Sequence, residues 1–414
     1  MKLSYAAILL AGIALSGCAF PQDPDETGAA GTFGTAGTTG IAGTSGAAGT
    51  GAAGTTNAAG TTGSGGTTGV AGTFGPGGDM PTLLSQTGLF ADITKDSQTV
   101  MGPGVFAFEP TYKLWSDSAA KRRWVYMPPG GKIDTSIMEY WAYPVGFKLW
   151  KEFSRDGKRI ETRLIMKKGE GNADWYMVAF KWNADGKDAV AIPLGEANSM
   201  GTNHDIPSKE NCTTCHGINA MADTALGFSA LQLSHDVTAA NELNLQKVKA
   251  MGWLSAPPAT DKFVLPGTPA ETAALGYLHA NCGNCHNDYG KVYQTSADLD
   301  LWTHLDAERL SAVGKTAAYL SMVCDQWPGP NGKLDKFSPI MECGAGHAVG
   351  AHIEGSISKV TKRIMPKTPL MSGVRELMSL RGDENSKSQM PPIGTEITDP
   401  TGLQILDTWI NALP

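Results

Sequence analysis

Apolar and polar residues alternate in short runs between Pro81 and Pro207. The clearest are Arg123-Trp124-Val125-Tyr126, Phe147 to Phe153, Ile160 to Met166 and Trp175 to Trp182. A period of two marks strands that bury one face. Asp156-Gly157 and Asp185-Gly186 fall between such runs, where hairpin turns need a positive φ. The pattern predicts an antiparallel β-sandwich over residues 80–207. Beyond it the period changes. Thr268-Pro269-Ala270-Glu271 reads as a helix start, with Thr as cap, Pro at the first helical position and Glu completing a capping box. That helix carries Ala274, Leu275 and Leu278 on one side and delivers Cys282. Asp399-Pro400 opens a last helix with Leu403, Leu406, Trp409, Ile410 and Leu413 on one face. The expected fold class is α+β and multidomain, a β-sandwich followed by a mostly α-helical second half.

The first eighty residues follow a different pattern. Lys2 precedes an apolar run from Tyr5 to Leu15, which is of signal-peptide length and too short to span a bilayer. It ends in Leu15-Ser16-Gly17-Cys18, which resembles the lipobox of bacterial lipoproteins. The resemblance implies a signal peptide at 1–18 and lipid on Cys18, and Ala19 after it resembles an outer-membrane address. An ordinary signal peptide with a chance Cys is the alternative. From Gly28 to Gly78 there is no charge and little besides Gly, Ala and Thr. Such a segment cannot bury enough apolar surface to offset its chain entropy. Glycine falls at every third position from Gly28 to Gly49, but the period fails at Gly51 and no Pro stiffens it, so a collagen-like helix is excluded. Residues 19–79 are expected to be a tether with a reach of roughly 40 Å.

Cys212-Thr213-Thr214-Cys215-His216 and Cys282-Gly283-Asn284-Cys285-His286 carry the chemistry, in a chain with only 7 Cys and 8 His. Two thiols separated by two residues reach the two vinyl groups of one porphyrin, and the next His faces the metal as axial ligand. Two covalently bound c-type haems are therefore expected, with His216 and His286 as iron ligands. A four-thiolate zinc site and a redox dithiol also use Cys-x-x-Cys. Neither accounts for a His after the second Cys in both copies. Covalent haem attachment takes place outside the bacterial cytoplasm, which agrees with the leader. With one Cys for lipid and four for haem, Cys324 and Cys343 are left, and in an oxidising compartment they are expected to pair as a disulfide, with two free thiols as the alternative. No Ser-His-Asp set or phosphate loop is present, and a net charge of -7 argues against nucleic acid as a partner.

The second half resembles a class I cytochrome c. The residues are Gly276-Tyr277 through His286, then Met390-Pro391-Pro392-Ile393-Gly394-Thr395, then Trp409-Ile410. The resemblance covers roughly Pro266 to Pro414 and implies a cytochrome c-like domain at 263–414, while the residues around the first motif are read as a separate haem-binding unit at 208–262. It also implies Met390 as the distal ligand of the second haem, and first and last helices that cross near Gly276 and Trp409. The stretch from His286 to Met390 is long for that family. A thioether is a soft ligand that favours reduced iron, and two prolines behind it stiffen the loop. His347, His352 and Met365 are rivals to Met390. The sixth ligand of the first haem is open among His204, His235, Met200, Met221 and Met251, with His204 favoured, and an open site is an equal alternative. Residues 81–414 also resemble a family of exported bacterial proteins with a β domain before a dihaem cytochrome. That likeness rests on Tyr112-Lys113-Leu114-Trp115-Ser116-Asp117 and Glu161-Thr162-Arg163-Leu164, and it supplies architecture rather than a substrate.

The function expected is a dihaem cytochrome that passes single electrons between redox proteins of the cell envelope, held to a bilayer by its lipid. Two alternatives stand beside it. One is a haem peroxidase or other oxidoreductase with an open first iron. The other is a glycan- or surface-binding module, since six of the 10 Trp lie between Trp115 and Trp182. Large aromatics also fill small β cores, the plainer explanation.

Overall fold

The computed structural model describes residues 80–95, 100–171, 173–217, 225–287, 299–324, 352–357, 360–381 and 389–414. The leader with Cys18, the tether, Met221, Cys343 and His347 lie outside them. Strands β1 (Val105–Phe108), β2 (Ala120–Tyr126), β3 (Lys148–Arg155), β4 (Lys158–Lys167), β5 (Trp175–Trp182) and β6 (Ala189–Ala191) form where the alternating runs stand. Asp156 and Gly157 turn β3 into β4 with φ of 51° and 74°, as their sequence demands.

These strands make one sheet of seven, in the order β6-β5-β4-β3-β2-β1-β7, with the short β7 (Glu242–Leu243) parallel to β1 and all other pairs antiparallel. The expected sandwich is thereby overturned. Each hairpin pairs a strand with the next along the chain, so β1 to β6 are used up in one meander and none remains for a facing sheet. Alternation alone does not say what covers the buried face.

Two different layers cover it. On one face Val105, Trp124, Trp150, Leu164, Val178 and Trp182 pack against Leu84, Leu89 and Phe90 from the chain before β1. On the other, Phe108, Val125, Leu149 and Met177 join a core that runs through Phe228, Leu243 and Leu275 to Trp409 and Ile410.

The second half is not mostly helical either. Among the described residues it holds α1 (Lys209–His216), α2 (Leu245–Ala250), α3 (Pro269–Asn281), α4 (Ala317–Met322), α5 (Gly373–Ser379) and α6 (Pro400–Ala412), of which only α3 and α6 reach 13 residues. Pro257-Pro258 and Pro266-Gly267 fill the loop between α2 and α3. A hairpin of β8 (His352–Ile357) and β9 (Val360–Lys362) stands between the second motif and Met390.

The long helices start as their sequences predict. Thr268 and Glu271 form the capping box on α3, and the Asp399 carboxylate accepts the Gly402 N–H at 3.0 Å on α6. Trp409 and Ile410 are fully buried. The close approach differs from expectation. A Cβ on Gly276 would lie 2.0 Å from the Tyr112 ring, whereas on α6 it is Gly402 that admits the α3 side chain Tyr277. Tyr277 then donates to Asp399 at 3.0 Å.

Gly276→Ala is accordingly expected to displace the Tyr112 ring and cost about 1–3 kcal/mol, as overpacking does. Denaturant unfolding measures this, and an unchanged midpoint would show that Tyr112 does not fill the notch.

Candidate functional site

The first motif lies on α1, whose Ser208 hydroxyl accepts the Asn211 N–H at 3.2 Å. Spacings of three and four residues put Cys212, Cys215 and His216 on one side of the helix. Both thiols and the imidazole are half-buried. The second motif makes the same turn just past α3. Cys282 donates its N–H to Leu278 O at 2.9 Å, and His286 donates to Cys282 O at 2.9 Å. The fully buried Asn287 braces that turn by donating to Gly283 O and Asn284 O, both at 2.9 Å.

The fold brings the two motifs together. Asn284 Nδ2, inside the second, donates to the Cys215 carbonyl inside the first at 2.6 Å. No sequence signal announced this contact across 69 residues.

All four thiols are unpaired. Burial pushes Cys282 up to about 12 and Cys285 up to about 11, and raises Cys212 and Cys215 as well. A redox dithiol needs the opposite shift. Among the described residues no three His, Cys, Asp or Glu side chains converge as a metal-ion site.

Each motif offers two thiols and an adjacent imidazole, the donor set a c-type haem takes. His286 Nδ1 is buried without a hydrogen-bond partner. Desolvation first, and the Arg363 charge second, pull this imidazole down to about 4. It is therefore neutral, the state in which a ring nitrogen ligates a metal.

The Met390 loop is tied to the helix that delivers Cys282. The Trp115 N–H donates to Asn281 at 2.7 Å and its indole to Ile397 O at 3.1 Å. The Asp117 carboxylate accepts the N–H groups of Glu396 and Ile397, each at 3.0 Å. The segment Tyr112 to Asp117 is thus a strap between the motif and the loop. Met390 is half-buried, and its N–H donates to Leu377 O at 3.0 Å. Of its rivals, Met365 donates its N–H to the Ser372 hydroxyl at 2.8 Å. His352 is described only in its backbone.

His204 is buried, and its Nε2 sits 2.7 Å from Glu161 Oε1 with the Phe153 ring 5.2 Å away. Burial would raise the Glu161 carboxyl, but Arg163 and His204 together hold it below the usual carboxylate range. His235 meets the Thr111 hydroxyl through Nδ1 at 3.2 Å and keeps a buried, unpartnered Nε2. Met200 packs beside Ile160 and Ile206, and Met251 is exposed.

Cys324 is buried and disulfide-bonded. Five of the six tryptophans of the sheet region, Trp124, Trp141, Trp150, Trp175 and Trp182, are 7% exposed or less and fill the cores of the sheet. No described helix is long and apolar enough to cross a membrane.

A row of basic residues under α1 escaped the sequence reading. Arg163 lies within electrostatic reach of both Cys212 and Cys215, and Lys151 of Cys215. Their common face was hidden because it depends on the register between β2, β3 and β4. No family model, curated protein or solved structure matches this chain.

Proposed function

We propose that the protein is an exported dihaem c-type cytochrome that passes single electrons between redox partners of the cell envelope. The observation that carries the reading is the Asn284–Cys215 bond, which sets two Cys-x-x-Cys-His turns side by side. In this reading Cys212 and Cys215 hold one haem with His216 as ligand, and Cys282 and Cys285 hold the other with His286 and Met390. A haem so bound supplies a one-electron Fe(III)/Fe(II) couple. The chain keeps its ligands in place across that change. Asn287 fixes the turn bearing His286, and the strap from Tyr112 to Asp117 fixes the loop bearing Met390.

The test is the haem count after denaturation and acid–acetone extraction, which is expected to be two per chain. Zinc in place of residual Soret absorbance would reject the reading. Met390→Ala is expected to remove the weak near-infrared band of Met–Fe(III) coordination and to lower the potential of the second haem only. A surviving band would hand the position to another residue.

One observation favours a second reading, a haem oxidoreductase. The buried His204–Glu161 pair is an imidazole held by a carboxylate close to Cys212, the arrangement of a general acid–base group. Carbon monoxide added to the reduced protein separates the two. Electron transfer predicts little binding. Rapid stoichiometric binding at one haem, with peroxide turnover lost in His204→Ala, would favour the enzyme.

A further inference from the structure

Three cations face one another across the central strands. Arg123 pairs in register with Lys151, and Lys151 with Arg163. Like charges directly opposite on one face of a sheet are destabilising. Lys121 stands on the same face beside them, its ammonium donating to Leu114 O at 2.5 Å. Two carboxylates answer these four cations. Glu161 takes Arg163 through two bonds of 3.0 and 2.6 Å, and Glu109 takes Arg123 at 3.2 Å. Lys151 has no salt bridge among the described residues, and the nearest ring, Phe153, is 5.1 Å from its ammonium. Glu109 is shared with Lys113 at 3.3 Å and Glu161 with His204 at 2.7 Å, so the two carboxylates leave this half-buried row short of negative charge.

The row has a direction. Arg163 is within reach of both thiols of the first motif, Lys151 of one, and Arg123 lies one strand further away. Two strand spacings cover about 10 Å. A porphyrin attached through its vinyl edge carries two carboxylates on the opposite edge, about one macrocycle away. We propose that Lys151, with Arg123 and Lys121 beyond it, binds the two propionates of the haem attached at Cys212 and Cys215. Two negative charges relieve that shortfall, and burial strengthens the pairing. Without that anion the floor is strained. Burial first, then the neighbouring cations Arg123 and Arg163, bring Lys121 down to about 7, and burial together with Arg123, Lys121 and Arg163 depresses Lys151 well below its ordinary range.

The inference rests on the haem reading, and its test tells the two apart. Lys151→Met is made in the full haem-bearing chain, with the exposed Lys132→Met as control. Resonance Raman reads the propionate bending band and potentiometry reads each haem. The band of one haem is expected to move and its potential to fall, because removing a cation favours Fe(III). A tenfold change in the reduced-to-oxidised ratio corresponds to about 59 mV. In the Cys212→Ala/Cys215→Ala background, the same change is expected to raise the unfolding midpoint, since it then only removes like-charge repulsion. This second variant also covers the case in which Lys151→Met lowers haem loading. Two covalent haems with neither band nor potential altered would overturn the inference while leaving the haem reading intact. Succinate binding to the haem-bearing chain that disappears in Lys151→Met would overturn it too, because the row would then serve a dissolved dicarboxylate. A chain with no covalent haem would sink both.

Discussion

Changing both Cys212 and Cys215 to alanine is expected to leave one covalently bound haem in place of two, with the fold largely kept. Changing both Cys282 and Cys285 is expected to remove the other haem and destabilise the chain far more. The asymmetry follows from where the turns sit. No residue of α1 is fully buried, and its cap, Ser208, is untouched by the substitution. Cys212 and Cys282 both pack against the main core, but Cys282 is the more deeply desolvated, burial pushing its thiol up to about 12. Beside it, the His286 imidazole is desolvated, so losing a haem there would leave space next to buried groups. Emptying a buried aromatic-sized space costs about 3–5 kcal/mol. Intact mass gives the haem number and denaturant unfolding the stability. Equal destabilisation by the two double substitutions would remove the argument for unequal burial.

Acid is expected to weaken the fold through His279. This residue is 3% exposed, accepts the Thr303 N–H on Nδ1 at 3.2 Å, and lies 4.4 Å from the Trp302 ring. Burial, and secondarily the nearby His304, pull it down to about 3. Its folded value thus lies below the ordinary value near 6.5. Above 6.5 the imidazole is neutral in both states and its contribution is complete. As pH falls from 6.5 toward 3 only the unfolded chain takes up the proton, and stability drains away. Each pH step is worth about 1.4 kcal/mol, so about 3 kcal/mol is lost between pH 7.5 and 4.5. His279→Gln is expected to start less stable and to lose about that much less over the same range. Urea titrations at the two pH values measure the difference. Identical pH slopes for the two proteins would place the acid sensitivity elsewhere.

Local physics was legible in the chain. The runs around Trp124, Trp150 and Trp182 became strands because their alternation matches the pleat. Asp156-Gly157 became a turn because only such pairs accept two positive φ values cheaply. Thr268 to Glu271 capped α3 because the Thr hydroxyl and the Glu carboxylate satisfy the first free N–H groups of that helix. What failed was the inference from alternation to a sandwich. A buried strand face reads the same whether a second sheet, a helix or an extended segment such as Leu84 to Phe90 lies over it. The first and last helices do pack together, but Gly402 admits the partner side chain there, and the Gly276 notch takes Tyr112 from a segment more than 160 residues away.

The sequence by itself determined the chemistry on offer: two thiol pairs, each with a following His, at a spacing that one helical turn converts into a single reactive face. That follows from bonds between residues four apart, which need no partner from elsewhere. Only the tertiary structure decided that the two turns touch through Asn284 and Cys215, that His204 belongs to Glu161, and that Arg123, Lys151 and Arg163 stand in a row beneath the first motif. Those relations depend on strand register and on which helix covers which face. Both are set by how apolar surfaces far apart in the chain bury one another, and the order of residues along the chain carries no direct record of them.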